Sequence, residues 1–448
     1  MRIIRTSLWL VLPWLGGVSL ADAGSVPAAG TVVAQAGTAA ERGGASRGPS
    51  NALRFGVDRL QVEAGHLSDA PEADAATAVR ASVFALWQPD RTWEWRLGAR
   101  LDGDSQRGGT SDYTRWRGDP GDTYVRWRGG DTRLTLGAQT IVWGRVDEVP
   151  LADRVSRADV TRFVLDKLAD RRRSQLALRW EQTLGDWKVD AVALPAFRGA
   201  RLPAIDSVWS PINRTTGEAL GIAPSASLAA LVASATVRED DGGFGGAAVR
   251  ITRSGEPFDV GVTLARTRQS LPYYRVDTLA PSFTAVHPFN NFAGVDAEWV
   301  TGDVTWRTEL GYTHYVPVTL PSTAMAMTNA VEWVGAVEFF PGGADTRVNL
   351  QVVARSLRTG TEILELKDYV GVNGEVETAF AQGRWKATLR LARGLNVRDT
   401  YLGPKLSFVG WEPHEIYLAG HFFSGEARTL GGFHRDHDMI ALGLRTRF

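Results

Sequence analysis

The chain has 448 residues, and its 50 basic and 50 acidic side chains leave no net charge at neutral pH. This balance gives no polybasic argument for nucleic acid, and the absence of cysteine excludes disulfides and Cys–metal sites. A soluble β-sandwich protein of this length would need several domains, yet no domain boundary is visible. One large exported β-domain is therefore the favoured class.

Residues 1–23 have the organisation of a secretory signal peptide. Arg2 and Arg5 precede an apolar run over Leu8–Leu20, and the small-x-small sequence Ala21-Asp22-Ala23 follows as a cleavage site. A membrane anchor is the alternative, but the run is shorter than the about 20 residues that a spanning helix needs. Residues 24–50 are rich in Ala, Gly and Ser without a period, which predicts a disordered periplasmic linker.

Residues 51–448 predict a single all-β domain, an antiparallel transmembrane β-barrel. About eight tight turns rich in Gly, Pro and Asp alternate with about nine longer connections, as in bacterial outer-membrane barrels. With both termini periplasmic, this alternation gives about 18 strands, or about 16 on the lower count. The predicted turns are Gln88–Thr92, Gly129–Asp131, Leu184–Asp186, Ser254–Pro257, Thr301–Asp303, Pro341–Gly343, Gln382–Arg384 and Trp411–His414.

Alternate residues along these segments separate a lipid-facing side from a water-facing side. Apolar residues such as Leu134, Leu136 and Trp180 fall outward, whereas the inward face is mainly basic in the N-terminal half and mainly acidic in the C-terminal half. Such opposed walls would orient polar solutes; alternatively, the charges pair along adjacent strands and fill the lumen. The predicted pore-lining residues are Arg96, Arg100, Arg126, Arg128, Arg133, Gln139, Trp143, Asp147, Arg179, Glu298 and Glu332.

Two insertions interrupt the alternation of strands and turns. In the first, Trp143–Ser174, the residues Val160, Phe163, Val164 and Leu168 share one helical face with Asp159 as a possible N-cap. We predict that this insertion is helical, folds inward and narrows the pore. The second, Arg198–Asp241, contains the apolar stretch Ser225–Val237, an expected apolar helix that would enter the barrel mouth or line an apolar site. For either insertion, the alternative is that it braces the barrel wall.

The segment Phe433-His-Arg-Asp-His-Asp438 places two imidazoles near a carboxylate, a weak signal for a divalent ion. No Ser–His spacing indicates a nucleophile, and no glycine-rich loop lies in a nucleotide-binding context. The sequence therefore predicts no enzyme, no catalytic residue, no metal and no cofactor.

The segment Asp438–Phe448 predicts the closing strand of the barrel. Ile440, Leu442 and Leu444 alternate with small or charged residues that include Arg445. A terminal phenylalanine resembles the assembly signal of outer-membrane barrels. We expect Phe448 to contact the barrel-assembly machinery.

One stretch resembles a known family. Leu136-Gly-Ala-Gln-Thr-Ile-Val-Trp-Gly-Arg-Val-Asp147, followed by Pro150-Leu-Ala-Asp153, is similar to proteobacterial outer-membrane barrels in which a strand reading Arg-x-Gly-x-Gln ends in Trp-Gly, then Asp and Pro-x-Asp. The segment Leu194–Pro203 is similar to that family too. In the first motif, Thr135 or Leu136 stands where the family has its arginine. The resemblance implies a β-barrel of unknown function or a porin- or exporter-like protein, and it lends no catalytic residue.

The sequence therefore predicts a channel in the outer membrane of a Gram-negative bacterium. Its expected role is passive or substrate-biased passage of a small polar or anionic solute. The alternatives are a channel for hydrophobic or organic solutes or lipids, and a plugged structural or adhesive surface barrel. The expected partners are outer-membrane lipid and the solute, with no nucleic acid; the oligomeric state stays open.

Overall fold

The computed structural model describes residues 7–11, 52–239, 242–277, 281–322 and 324–447. A closed barrel of 18 antiparallel strands forms the body of the protein. The strands are β1 Arg54–Leu67, β2 Ala73–Trp87, β3 Trp93–Gly108, β4 Tyr113–Pro120 with Thr123–Gly129, β5 Thr132–Gln139, β6 Gln175–Leu184, β7 Trp187–Leu194, β8 Gly246–Arg253, β9 Asp259–Arg268, β10 Phe289–Thr301, β11 Val304–Thr319, β12 Met325–Phe339, β13 Thr346–Leu357, β14 Asp368–Phe380, β15 Trp385–Gly394, β16 Asp399–Trp411, β17 His414–Gly425 and β18 Met439–Arg447.

The two parts of β4 count as one strand because both pair with β3. The first and last strands close the barrel in an antiparallel register that runs from Arg59 opposite Arg447 to Leu67 opposite Met439. Closure leaves no free sheet edge, so the backbone groups of the wall pair with each other rather than with lipid.

The predicted turns are confirmed. Each of the eight predicted turn sequences lies at a connection between consecutive strands, and these connections share one end of the barrel, the short-turn end. The opposite end, the long-loop end, carries the other connections, of which the longest are residues 140–174 and 195–245. Short turns face the periplasm in barrels of this kind.

The outward face is apolar, as the alternation predicted. Leu97 is 65% exposed and Leu442 61% exposed, although both are large aliphatic residues. Near the short-turn end, Trp299 stacks on Trp306 with ring centroids 6.3 Å apart, and Trp385 packs edge-on against Phe408. An apolar exterior with aromatic residues at its rim belongs in a lipid bilayer. The protein is thus an outer-membrane β-barrel.

Shorter elements lie in the loops. Helix α1 covers Ala226–Ser234 and helix α2 covers Leu430–Phe433, with one 3-10 turn at Leu168–Arg171. Short strands are Ser7–Val11, Arg157–Ala158, Arg172–Arg173, Ile212–Asn213, Glu218–Ala219, Thr236–Glu239, Tyr273–Asp277 and Ser282–Val286. No helix in the described ranges is long and apolar enough to cross a membrane.

The two insertions differ in how well the sequence predicted them. The second is helical where expected: Ser225 caps α1 by accepting the Leu228 N–H at 3.1 Å. The first folds inward, but its helical content is minor, and Val160–Leu168 forms turns rather than a helix. Phe163 has a φ of 50°, a left-handed conformation that interrupts a right-handed helix.

The terminal predictions lie largely outside the described residues. Of the predicted signal peptide, only Ser7–Val11 is described; it pairs with Tyr273–Asp277. The predicted linker 24–50 and the assembly residue Phe448 lie outside the described ranges. All three remain predictions.

A charge on the lipid face should destabilise the barrel. We expect Leu442→Arg, near the middle of β18, to lower the free energy of unfolding by about 2–4 kcal/mol. Urea titration, followed by the mobility difference between unheated and boiled samples in gels, measures this change. The control is Glu362→Arg on an exposed loop, which should change stability by less than about 0.5 kcal/mol. Equal effects of both variants would contradict a lipid-facing Leu442.

Candidate functional site

The connection between β5 and β6, residues 140–174, is called the inward loop here because it enters the barrel lumen. Its first part is attached to Glu309 of β11, which is 1% exposed. The Glu309 carboxylate accepts the backbone N–H groups of Arg145, Val146 and Ala152 at 2.5, 3.1 and 3.0 Å. Hydrogen bonds from neutral donors to a charged acceptor are strong ones, so Glu309 fixes the backbone of the loop.

Ion pairs attach the same part of the loop to neighbouring strands. Arg145 donates to Asp296 of β10 at 2.5 Å, and Arg154 donates to Glu332 of β12 at 2.7 Å. Asp147 accepts a hydrogen bond from Arg347 of β13 at 2.8 Å. The first half of the loop therefore lies against β10–β13.

The second half of the loop contacts the other side of the barrel. Asp159 pairs with Arg100 of β3 at 2.5 Å, and Arg162 pairs with Glu63 of β1 at 2.6 Å. Asp170 pairs with Arg59 of β1 at 2.6 Å. The loop thus spans the lumen from wall to wall, as the inward-folding prediction required.

These contacts also control the charge of the loop carboxyls. Burial alone would raise the pKa of Asp159, but Arg100 and Arg80 outweigh burial and hold that pKa below its usual value. Glu148 is different: burial raises its pKa to about 8 despite the nearby Arg390 and Arg171. One Glu148 oxygen is buried without a hydrogen-bond partner, which suits a neutral carboxyl.

The structure places the predicted basic wall on the inner face, but its arginines are paired. Arg126 and Arg128 share Glu94 at 2.9 and 3.1 Å. Further pairs are Arg96 with Asp58 at 2.7 Å, Arg100 with Asp102 at 2.8 Å, Arg133 with Glu181 at 3.6 Å and Arg179 with Asp190 at 2.6 Å. This arrangement matches the alternative in which charges pair along adjacent strands. Their role in solute preference stays a prediction.

The remaining predicted pore residues also have partners. Gln139 donates to the backbone oxygen of Ala177 at 3.0 Å, and the Trp143 indole donates to Asp190 at 2.8 Å. Glu298 accepts a hydrogen bond from Arg307 at 2.8 Å. Asp147 and Glu332 bind the loop to the wall, as described above.

A cavity lies between the inward loop and the wall formed by β1 and β15–β18. Together with the open solvent at its entrance, it encloses about 530 Å³ of space. Six basic and three acidic side chains line it, and none of the predicted pore residues does. The lining residues are Arg59, Gln61, Glu63, Arg162, Leu165, Asp166, Lys167, Asp170, Thr388, Arg390, Tyr401, Gly403, Pro404, Lys405, Tyr417, Ala419, His421 and Arg445.

The basic lining residues differ in how they are compensated. Glu415, which stands behind the lining, pairs with Lys405 at 2.9 Å and with Arg445 at 2.7 Å. Within the described residues, the Lys167 ammonium has no carboxylate within 4.0 Å. Lys167 therefore forms no direct ion pair among the described residues, although it interacts electrostatically with Glu375 of β14.

Sequence reasoning could have found part of this lining. Arg445 alternates with the outward Ile440, Leu442 and Leu444, so its inward position followed from the pattern of β18. Lys167 and Asp170 lie in the inward loop outside its predicted helical face, and no signal in the sequence placed them beside β18.

Apolar and aromatic residues from several loops meet at the long-loop end, in what we call the mouth cluster. Phe163 of the inward loop stacks on Trp209 with centroids 6.3 Å apart, and its ring lies 4.3 Å from that of His434. Leu228 and Val232 of α1 join the cluster, as does Phe423 of β17. The cluster thus connects the inward loop, α1 and the loop before β18.

The weak metal signal at residues 433–438 corresponds to a hydrogen-bonded network within this cluster. His434 and His437 approach through their Nδ1 atoms at 2.8 Å, and His437 Nε2 lies 3.2 Å from Glu72. Asn213 donates to the same carboxylate at 2.7 Å. These atoms do not converge on one point, and no group of three potential ligands in the described part of the chain is arranged for a metal.

Comparison with known proteins supports the fold. A family model described as a protein of unknown function (DUF1302) matches residues 88–401. Acinetobacter baumannii OccAB1 is similar in structure at 9% identity and a TM-score of 0.51, covering 88% of this chain and 96% of that one. Salmonella typhi OmpF in complex with daunomycin is 9% identical with a TM-score of 0.42, covering 89% of this chain and 98% of that one. The Acinetobacter baumannii outer membrane channel DcaP is 9% identical with a TM-score of 0.43, covering 88% of this chain and 97% of that one. No curated protein sequence matches the chain.

Removing the Glu309 carboxylate should loosen the inward loop. Glu309→Ala leaves three backbone N–H groups without their acceptor, and each costs about 1–3 kcal/mol if it stays buried. We expect a higher and noisier single-channel conductance in planar bilayers. Glu362→Ala, on an exposed loop, is the control. A Glu309→Ala channel with wild-type conductance would show that the loop is held by its other contacts.

Alkaline pH should loosen the loop through Glu148. The pKa of Glu148 in the folded protein, about 8, lies above the usual 4.5. The stability that the neutral Glu148 carboxyl contributes is therefore complete below pH 4.5 and is lost as the pH rises through about 8. We expect protease to cut the loop faster at pH 9 than at pH 7, and Glu148→Gln to remove this difference. Glu362→Gln is the control; a wild-type loop with the same cutting rate at both pH values would contradict the assignment.

Proposed function

The chain belongs to the DUF1302 family of proteins of unknown function, and we propose that it is an outer-membrane channel for passive passage of small polar solutes, with a preference for anions. The observation that carries the proposal is the basic lining of the cavity beside the inward loop. The proposal involves no chemical step and assigns no catalytic residue.

Charge in the cavity favours anions. With six basic and three acidic lining residues, the lining has an excess of three positive charges, which Glu415 and Glu375 behind the lining offset in part. Positive charge within low-dielectric walls raises the local concentration of anions. Because Lys167 lines the cavity and has no direct ion pair among the described residues, its field acts on the cavity.

The arginines of β3–β6 contribute less to this preference. Each has an acidic partner on its own or a nearby strand, with Asp58 of β1 as the partner of Arg96, so the net field of these arginines across the lumen is small. A solute is therefore expected to follow the β1 and β15–β18 side of the inward loop. In this proposal, the pore-lining residues Arg96, Arg126, Arg128, Arg133 and Arg179 mainly stabilise the wall.

A plugged surface barrel is the second candidate, and the mouth cluster favours it. Phe163, Trp209 and Val232 are nearly inaccessible to solvent there, so the connections 140–174 and 195–245 cover part of the long-loop end. A channel for hydrophobic solutes would need an apolar path, whereas the lining of the described cavity is largely charged. Conductance separates an open channel from a plugged one.

The ion preference should depend on Lys167 and not on the paired arginines. In a salt gradient across a planar bilayer, we expect wild-type reversal potentials that indicate anion preference, and Lys167→Gln should reduce that preference. The effect should be largest at low salt, since screening acts over about 8 Å at physiological ionic strength.

The matched control is Arg128→Gln, which removes one positive charge from the opposite wall and leaves Glu94 paired with Arg126. It should change the reversal potential less than Lys167→Gln does. Equal shifts, or a larger shift for Arg128→Gln, would assign the preference to the N-terminal wall. The absence of conductance in every variant would favour the plugged barrel.

A further inference from the structure

We propose that Arg266 and Arg268, on the outer surface of the barrel at its long-loop end, bind the phosphate groups of a lipid in the outer leaflet of the membrane. The surface formed by Arg266, Arg268, Phe289 and Asn291 is called the rim patch. It lies outside the lumen, so the proposal is independent of the proposed channel function.

The rim patch faces outward because of the alternation of residues along β9 and β10. On β9, Leu264 is 52% exposed on the lipid-facing side, and Arg266 and Arg268 continue that side toward the long-loop end. On β10, Asn291 stands opposite Arg266 and Phe289 stands opposite Arg268. The four residues therefore form one outward surface on two adjacent strands.

The chemistry of the outer surface changes at the level of the rim patch. A row of paired residues across β9–β12 is apolar or aromatic, and the row two positions further toward the long loops is polar. The first row is Leu264, Ala293, Tyr312 and Val331, and the polar row is Arg266, Asn291, His314 and Asn329. Such a change marks the edge of the surface that lipid chains cover.

The depth of the polar row agrees with this boundary. Trp299, in the aromatic rim at the short-turn end, and Asn291 are eight positions apart on β10. Eight positions span about 27 Å along a strand and about 20 Å along the bilayer normal at the usual strand tilt, whereas the apolar band of such barrels is about 25 Å tall. The guanidinium groups thus lie near the outer edge of the band, where long side chains reach the headgroups.

The two arginines keep their positive charge at this surface. Arg266 donates to the Asn291 side chain at 3.2 Å, and Arg268 donates to the backbone oxygens of Phe244 and His287 at 3.0 and 3.1 Å. These acceptors are neutral. Within the described ranges, no carboxylate lies within 4.0 Å of either guanidinium group, and no outward position of β8–β12 carries an acidic residue.

The two charges are close enough to bind one headgroup. The guanidinium carbons of Arg266 and Arg268 lie 5.6 and 4.7 Å from the centre of the Phe289 ring, so both charges flank the same ring. Arginine binds phosphate through pairs of parallel hydrogen bonds. Because like charges repel more strongly beside a low-dielectric bilayer, an anionic headgroup would stabilise the patch.

A phosphorylated lipid fits this surface better than a second copy of the barrel does. The acyl chains of the lipid can cover the apolar row while its phosphate meets the arginines, so one molecule satisfies both parts of the surface. A two-fold contact through the rim patch would instead bring the arginines of both copies together. The long-loop end is opposite the periplasmic turns, which selects the outer leaflet.

The test uses the full barrel in a nonionic detergent with EDTA, so that no divalent cation bridges two anions. Native mass spectrometry measures the binding of diphosphorylated lipid A, with dephosphorylated lipid A as the matched probe. We expect Arg266→Gln combined with Arg268→Gln to weaken binding of the phosphorylated lipid about tenfold, because charge-assisted hydrogen bonds to phosphate are lost. Binding of the dephosphorylated lipid should be the same in wild type and variant.

The matched control removes two outward arginines that stand apart from each other. Arg107 on β3 and Arg253 on β8 are both exposed and have no ion pair among the described residues. Arg107→Gln combined with Arg253→Gln removes the same charge and should leave lipid A affinity at the wild-type value. A mobility difference between unheated and boiled samples confirms that each variant is folded.

Unchanged lipid A binding in the folded rim-patch variant, or an equal loss in the control pair, would overturn the proposal. An equal loss for the phosphorylated and dephosphorylated lipids would overturn it too, because phosphate would then not be recognised. Inorganic phosphate at the concentration of the lipid should not displace lipid A, since the apolar row adds to the binding of the acyl chains. Displacement would assign the rim patch to free phosphate and contradict a lipid site.

Discussion

The pairing of every backbone group in the wall is the constraint on which the rest of this structure depends. Lipid offers no hydrogen bonds, so the sheet must close, and β1 meets β18 to do so. An 18-strand wall encloses a lumen that water or protein must occupy. The inward loop occupies much of it, and its polar backbone is in turn satisfied by wall side chains such as Glu309.

Charge pairing within the lumen follows from the same constraint. The loop carries both signs, and several of its carboxylates and arginines pair with an opposite charge on a strand, from Arg154 with Glu332 to Asp159 with Arg100. A buried ion pair stabilises little in net terms but leaves a large penalty when one partner is missing. The pairs therefore specify where the loop lies.

The sequence predicted what depends on local pattern. The turn residues predicted where the hairpins lie, and the alternation of apolar residues predicted which side of each strand faces lipid. Both features depend on only a few neighbouring residues. The partners of the inner charges are not local: Arg145 and Glu309 are 164 positions apart, and Asp147 and Arg347 are 200. The predicted helix in the inward loop failed for a similar reason, since Phe163 adopts its conformation in contact with Trp209 and His434 from distant loops.

The register of the seam between β1 and β18 links assembly to the position of the inward loop. Arg59 stands directly opposite Arg447, and like charges opposed across a strand pair disfavour that pairing. Asp170 bridges the two guanidinium groups and relieves the repulsion. Closure of the barrel and insertion of the loop are therefore thermodynamically coupled, because Asp170 of the inserted loop offsets the repulsion between Arg59 and Arg447 at the seam.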